Sequence, residues 1–159
     1  MPIKKNPPGT TMSYIEENLM PGENLLYRAK LHPIIFIGPL TVLLIGIWLF
    51  IVDGVLILLV GILWTVPTYI TYSTSEFGLT NKRIIGKIGF IRRQSLEMFL
   101  TKVESVSIHQ GIIARLLDYG KIEIIGTGGT KESFTKISKP LEFRKHIQEQ
   151  VAIIQGIKK

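Results

Sequence analysis

The chain has no cysteine, which excludes disulfide bridges and thiolate chemistry and leaves any metal site to be built from histidine, aspartate and glutamate. The absence agrees with a cytosolic domain. Histidine is nearly as scarce. His32, His109 and His146 stand far apart in the sequence, none with a second ligand at metal spacing, so no metal or cofactor site is expected. Charge is missing where it matters most: from Ile34 to Tyr72 the only charged residue is Asp53, followed by Gly54 near the centre of the run.

That interruption divides the run into two uncharged segments, Ile34 to Val52 and Val55 to Tyr72, each spanning about 27 to 29 Å as a helix, close to a hydrocarbon core of about 30 Å. Two membrane helices joined by a tight Asp53-Gly54 turn are expected. Asp-Gly is a turn signal, and two helices offer too few polar groups for a transport path, so Asp53 is read as the hairpin turn. Pro39 and Pro67 leave a second geometry open. If they end the regular helices, each arm shortens to roughly 20 Å and the hairpin dips into one leaflet.

All nineteen Lys and Arg residues lie outside the run, with Arg28 and Lys30 before it and Lys82, Arg83, Lys87, Arg92 and Arg93 after it. A basic excess marks cytoplasmic flanks, so both termini should face the cytoplasm. The run starts only at residue 34, has no small-residue cleavage site, and is followed by a second apolar segment. It therefore reads as retained in the membrane and not as an export signal. Gly46 and Gly61, equidistant from the turn, should permit close helix approach, and Trp48, Tyr69 and Tyr72 fall where aromatic rings favour headgroups.

Three regions follow: an N-terminal segment, 1–33; the two-helix hairpin, 34–72; and a C-terminal domain, 73–157. From Ser73 to Lys159 the chain carries a net charge of +7, equal to that of the whole chain, which favours anionic surfaces. In the N-terminal segment, Ser13 and Glu16 have capping-box spacing for a short helix ending near Pro21-Gly22. Leu25 to Leu31 then alternates like a strand able to pair with the C-terminal domain. That domain reads as strands at 74–79, 83–88, 92–99, 103–109, 121–125 and 132–137, joined as antiparallel hairpins. Lys139-Pro140 opens a final helix with Phe143, Ile147, Val151 and Ile154 on one stripe. Between two strands, Ile112, Ile113, Leu116 and Leu117 predict a short helix packed against the barrel, with Arg115 outward. Gly126 to Lys131 has the composition of a phosphate loop but lacks its second Gly-Lys, and is expected to be a hairpin turn.

Several short blocks also carry a family resemblance. They are Leu19-Met20-Pro21-Gly22-Glu23 with Tyr27 and His32 before the run, and Leu79-Thr80-Asn81-Lys82-Arg83-Ile84-Ile85 with Gly89-Phe90-Ile91 after it. Val103-Glu104-Ser105-Val106, Gln110 to Leu117 and Tyr119 to Ile124 continue the match. Over about residues 19–150 the chain resembles the bacterial pleckstrin-homology-like (PH) domains of the membrane-flanked type. The resemblance implies paired sheets or a curved barrel closed by a C-terminal helix, and no catalytic residue; with the apolar hairpin and its basic flanks, the expected location is a bacterial cytoplasmic membrane. The expected fold class is thus α+β: a transmembrane helical hairpin followed by an antiparallel β domain capped by a helix.

The function expected from these features is non-enzymatic: an integral membrane protein whose PH-like domain serves as a protein- or lipid-interaction or scaffolding module. Its partners would be the lipid bilayer and an unidentified protein or further copies of itself. Lys82, Arg83, Lys87, Arg92 and Arg93 are the residues expected to contact an anionic surface. Specific nucleic-acid binding is not expected, because the basic residues are not interleaved with exposed aromatics, and no small-molecule substrate is inferred. The alternative is a small oligomeric transport or channel subunit in which Asp53 acts within the membrane.

Overall fold

The computed structural model describes residues 13–50, 54–89 and 94–156. A capping box between Ser13 and Glu16 starts α1 (Tyr14–Glu17), which stops short of Pro21-Gly22 because the Asn18 side-chain amide donates back to the Tyr14 carbonyl at 2.8 Å. The alternating segment that follows forms β1 (Leu25–Ala29). A 3₁₀ turn (Pro33–Phe36) leads into α2 (Ile37–Trp48), and α3 (Val55–Thr74) returns to β2 (Glu76–Thr80). β1 and β2 are antiparallel neighbours, with Ala29 opposite Phe77. The helical hairpin is therefore an insertion between two adjacent strands of one sheet, and both of its arms leave the same end of that sheet. β1 thus pairs with the strands that follow the hairpin, as the alternation from Leu25 to Leu31 leads one to expect.

Within the hairpin, α3 has 20 residues, about 30 Å at about 1.5 Å per residue, and is apolar enough to cross a membrane. The first arm, Pro33–Trp48, is shorter. α3 continues through Pro67, so that proline does not shorten it, and Pro39 sits in the first turn of α2, where the missing amide is tolerated. Gly46 and Gly61 are both buried between the helices, although they do not face each other. A β-carbon on Gly46 would stand 2.8 Å from the Leu58 amide nitrogen, and one on Gly61 would stand 2.8 Å from Leu43 Cδ2. Outward, the hairpin presents Leu44, Ile47, Trp48, Leu56, Leu59 and Leu63. The Gly54 amide closes the turn onto the Leu49 carbonyl at 3.0 Å, while Asp53 lies outside the described residues.

Two antiparallel sheets make the remainder. One has the order β1-β2-β3-β4, with β3 (Arg83–Ile88) and β4 (Gln94–Phe99). The other has the order β5-β6-β7, with β5 (Val103–His109), β6 (Tyr119–Gly126) and β7 (Lys131–Ser138). A bridge from Leu31 to Ile137 joins the sheets at one edge. Their inner faces meet at Phe77 and Phe134, edge to face with centroids 5.0 Å apart, and α5 (Pro140–Ile154) closes the domain with Phe143 and Ile147 fully buried. α1 covers the outer face of the four-stranded sheet, where Ile15 is buried against Gly78. Between β5 and β6 lies α4 (Ile112–Leu116).

At Gly86 an aromatic ring of the facing sheet packs directly against the backbone. A β-carbon there would lie 2.6 Å from Phe134 Cε1 and 3.3 Å from Phe77 Cδ1. Gly86→Ala should therefore wedge the sheets apart at a loss of about 1–3 kcal/mol. A denaturation midpoint unchanged from wild type would show that the rings yield without penalty.

Candidate functional site

Strand direction decides which side chains stand beside the hairpin. β1, β3, β5 and β7 finish at the hairpin end, while β2, β4, β6 and α5 start there. Of the five basic residues singled out in the sequence, the three that are described therefore do not share one surface. Lys87 lies at the hairpin end opposite Glu76, with its ammonium 4.3 Å from the centroid of the Tyr14 ring. Lys82 is at the opposite end, roughly 15 Å away along the strand, where it donates to the Pro21 carbonyl at 3.0 Å. Arg92 and Arg93 lie outside the described residues.

Arg83 leaves the surface group altogether. It is only 3% exposed, and its Nε and Nη2 donate to the two carboxylate oxygens of Glu23, both at 3.0 Å. Nη2 also donates to the Asn18 carbonyl at 2.7 Å, and Nη1 pairs with Glu97. Glu23 in turn accepts from the Thr80 hydroxyl and the Met20 amide, each at 2.7 Å. Burial alone would raise the Glu23 carboxyl, but the hydrogen bonds from Arg83, Met20 and Thr80 outweigh it and hold the group below its ordinary value. Burial would likewise lower Arg83, and Glu23 and Glu97 reverse that effect and raise it. Around this pair, the Asn24 amide donates to the Asn81 side chain at 2.9 Å, and Asn81 donates to the Gly22 carbonyl at 3.2 Å. The blocks Leu19 to Glu23 and Leu79 to Arg83 thus clasp each other across the sheet end. Their role is architectural.

The other two residues of those blocks are also structural anchors. His32 Nδ1 accepts from the Ile34 amide at 3.1 Å and its ring stacks on Tyr119 with centroids 5.1 Å apart, fixing the chain where it turns into the hairpin. Tyr27 stacks on Phe143 and donates to Glu142 at 3.3 Å, which fastens α5 to β1. Burial, then the Glu142 carboxylate, raises the Tyr27 hydroxyl above its ordinary value.

Among the described residues, two recesses lie at the junction of hairpin and sheets. The larger is a cleft of about 680 Å³ between the base of both helices and the domain, walled by Ile34, Pro39, Trp64 and Pro67 and floored by Ile113, Tyr119 and Lys136. Lys136 occupies a bulge in β7 with φ 58°, and its carbonyl accepts from the His32 amide at 2.7 Å. The smaller recess, about 180 Å³, is polar and includes Arg28, Lys30, Tyr72 and Ser75. Gly126 to Lys131, at the far end, is the β6–β7 turn, with Gly128 and Gly129 at positive φ.

α4 reverses one expectation. Its apolar residues do not pack against the sheets: Ile112 is 92% exposed, Ile113 67% and Leu116 84%, and Ala114 is the residue that faces the protein. Sequence reasoning assigned these side chains inward because apolar residues are usually buried, a rule that does not discriminate next to a second apolar surface.

No curated protein matches the chain in sequence. The family model described as Bacterial PH domain matches residues 33–151, a stretch that takes in the hairpin, β2 to β7 and most of α5, so the chain belongs to the bacterial PH domain family.

Proposed function

We propose that this protein is an integral membrane protein whose hairpin enters the bacterial cytoplasmic membrane and whose PH domain is held on the cytoplasmic side as a non-enzymatic interaction module. The observation that carries this reading is the hairpin itself. It is inserted between adjacent strands, projects from one end of the sheet, and turns large apolar side chains outward along both helices. Exposed apolar surface on that scale calls for a lipid or protein environment. The shared exit of both arms agrees with basic flanks on one side only.

An interaction role is further supported by how the domain uses its buried polar groups. Glu23, Thr80 and Arg83 bind one another and the backbone, and so act as a clasp. Partners are therefore expected on the exposed surface, as protein, anionic lipid or another copy of the chain.

Because cysteine is absent, single introduced thiols report topology without background. Asp53→Cys should react with a membrane-impermeant thiol reagent added outside intact cells, and Ser95→Cys only after the membrane is opened. Protection of position 53 from both sides would replace the spanning hairpin by one confined to a single leaflet. Labelling of position 95 from outside would overturn the orientation. Conductance in reconstituted vesicles that is lost on changing Asp53 would favour the channel-subunit alternative.

A further inference from the structure

We propose that α4 is a second membrane contact: it lies in the headgroup region of the leaflet that the hairpin enters, with Ile112, Ile113 and Leu116 in the upper acyl chains. The inference rests on the membrane-hairpin reading and adds to it an orientation for the whole domain. α4 connects the end of β5 to the start of β6, and both lie at the hairpin end of the sheets. Gln110 Nε2 fixes the connection by donating to the Tyr119 carbonyl at 2.7 Å, and Tyr119 stacks on His32 at the hairpin base. Ile113 lines the same cleft as Ile34 and Pro39. The exposed face of α4 is thus continuous with the apolar surface of the hairpin.

Helical spacing explains why the face is one-sided. Residues 112, 113, 116 and 117 fall on one arc, Ala114 faces the protein, and Arg115 stands at the margin, where a long cationic side chain can reach headgroups while its stem covers apolar surface. Lys136 adds a second cation on the cleft floor. An apolar face bordered by basic residues is the composition of an interfacial element, and anionic lipid is the surface that complements it. Held this way, the PH domain cannot swing freely about the hairpin, and its far end, with Lys82 and the Gly126 to Lys131 turn, points away from the bilayer.

The test uses the full-length protein in vesicles of phosphatidylcholine and phosphatidylglycerol, with an environment-sensitive fluorophore on Ile112→Cys, Leu116→Cys, Leu59→Cys or Ile153→Cys. All four positions are exposed, so the variants should fold. Labels at 112 and 116 should emit at shorter wavelength and lose intensity to lipid brominated on the upper acyl chain. The label at 59 should respond to lipid brominated deeper, and the label at 153 to neither. No response at 59 would sink the membrane-hairpin reading itself. A response at 59 with none at 112 and 116 would overturn the α4 contact alone. Self-quenching between labelled copies at 112, without quenching by brominated lipid, would assign the face to a second copy and overturn the proposal, as would equal quenching at 153. Arg115→Gln with Lys136→Gln should weaken the response at 112 and leave that at 59 unchanged.

Discussion

Arg83→Met should destabilise the domain by about 3–5 kcal/mol, because it leaves the Glu23 carboxylate buried without its cation. The pair is bidentate, almost completely buried, and tied to the backbone at Asn18 and Met20, so neither partner can relax into water without opening the clasp. Replacing both partners by apolar residues, as in Glu23→Leu with Arg83→Met, should be milder than the sum of the single changes, since no uncompensated charge then remains. Thermal or denaturant unfolding of the full-length protein in detergent would measure all three variants. A fragment that begins at residue 73 would not serve, because it lacks β1 and Glu23.

The pH dependence should change sign along with the charge. In the wild-type protein the Glu23 carboxyl is held below its ordinary value, so its contribution is complete above the unfolded pKa and is lost as pH falls toward the lower folded one. Without Arg83, burial, the largest single influence on this carboxyl, is opposed only by the hydrogen bonds from Met20 and Thr80, and the expected result is that it raises the group. The variant should then gain stability as mild acid protonates Glu23, over the range in which the wild type loses it. Parallel pH profiles for the two proteins would show that the guanidinium does not control this group.

Strands were legible in the sequence to the extent that turns bounded them. β3 and β5 have the ends that alternation and turn residues predict. β6 is longer than expected because Tyr119 and Gly120 pair with Ser138 and Ile137, a ladder set by the neighbouring strand and invisible in local alternation. The candidate surface was less legible, for a related reason. Lys82, Arg83 and Lys87 are close in sequence, but an antiparallel strand carries its two ends to opposite sides of the domain. What removes Arg83 from solvent is a segment some sixty residues earlier, at Glu23. The signal that could have found the pair was already present in the two family blocks, which contain one buried acid and one buried base. α4 departs from the expectation because an apolar composition does not say whether the fold itself buries a side chain.

Ile147→Asp should unfold the domain. Ile147 has no exposed surface, lies in the common core with Phe143, Val103 and Leu100, and belongs to the helix that closes the paired sheets. The substitution removes an apolar side chain whose burial is worth roughly 1.5 to 3 kcal/mol and puts a carboxylate in its place, so a total above about 4 kcal/mol is expected. The expected stripe of Phe143, Ile147, Val151 and Ile154 weakens along the helix: Val151 is half-buried and Ile154 is largely free of the core. The effect of a charge should fall in the same order. Ile153→Asp, on the exposed face of the same helix, should shift stability by no more than about 0.5 kcal/mol. Far-ultraviolet helicity from the hairpin should persist in Ile147→Asp while near-ultraviolet signals and protease resistance of the domain are lost, since the hairpin has its own helix-to-helix contact through Gly46 and Gly61. Cooperative unfolding at an unchanged temperature would mean that α5 rests on the sheets without closing them, and the clasp at Glu23 and Arg83 would then carry the stability of the domain.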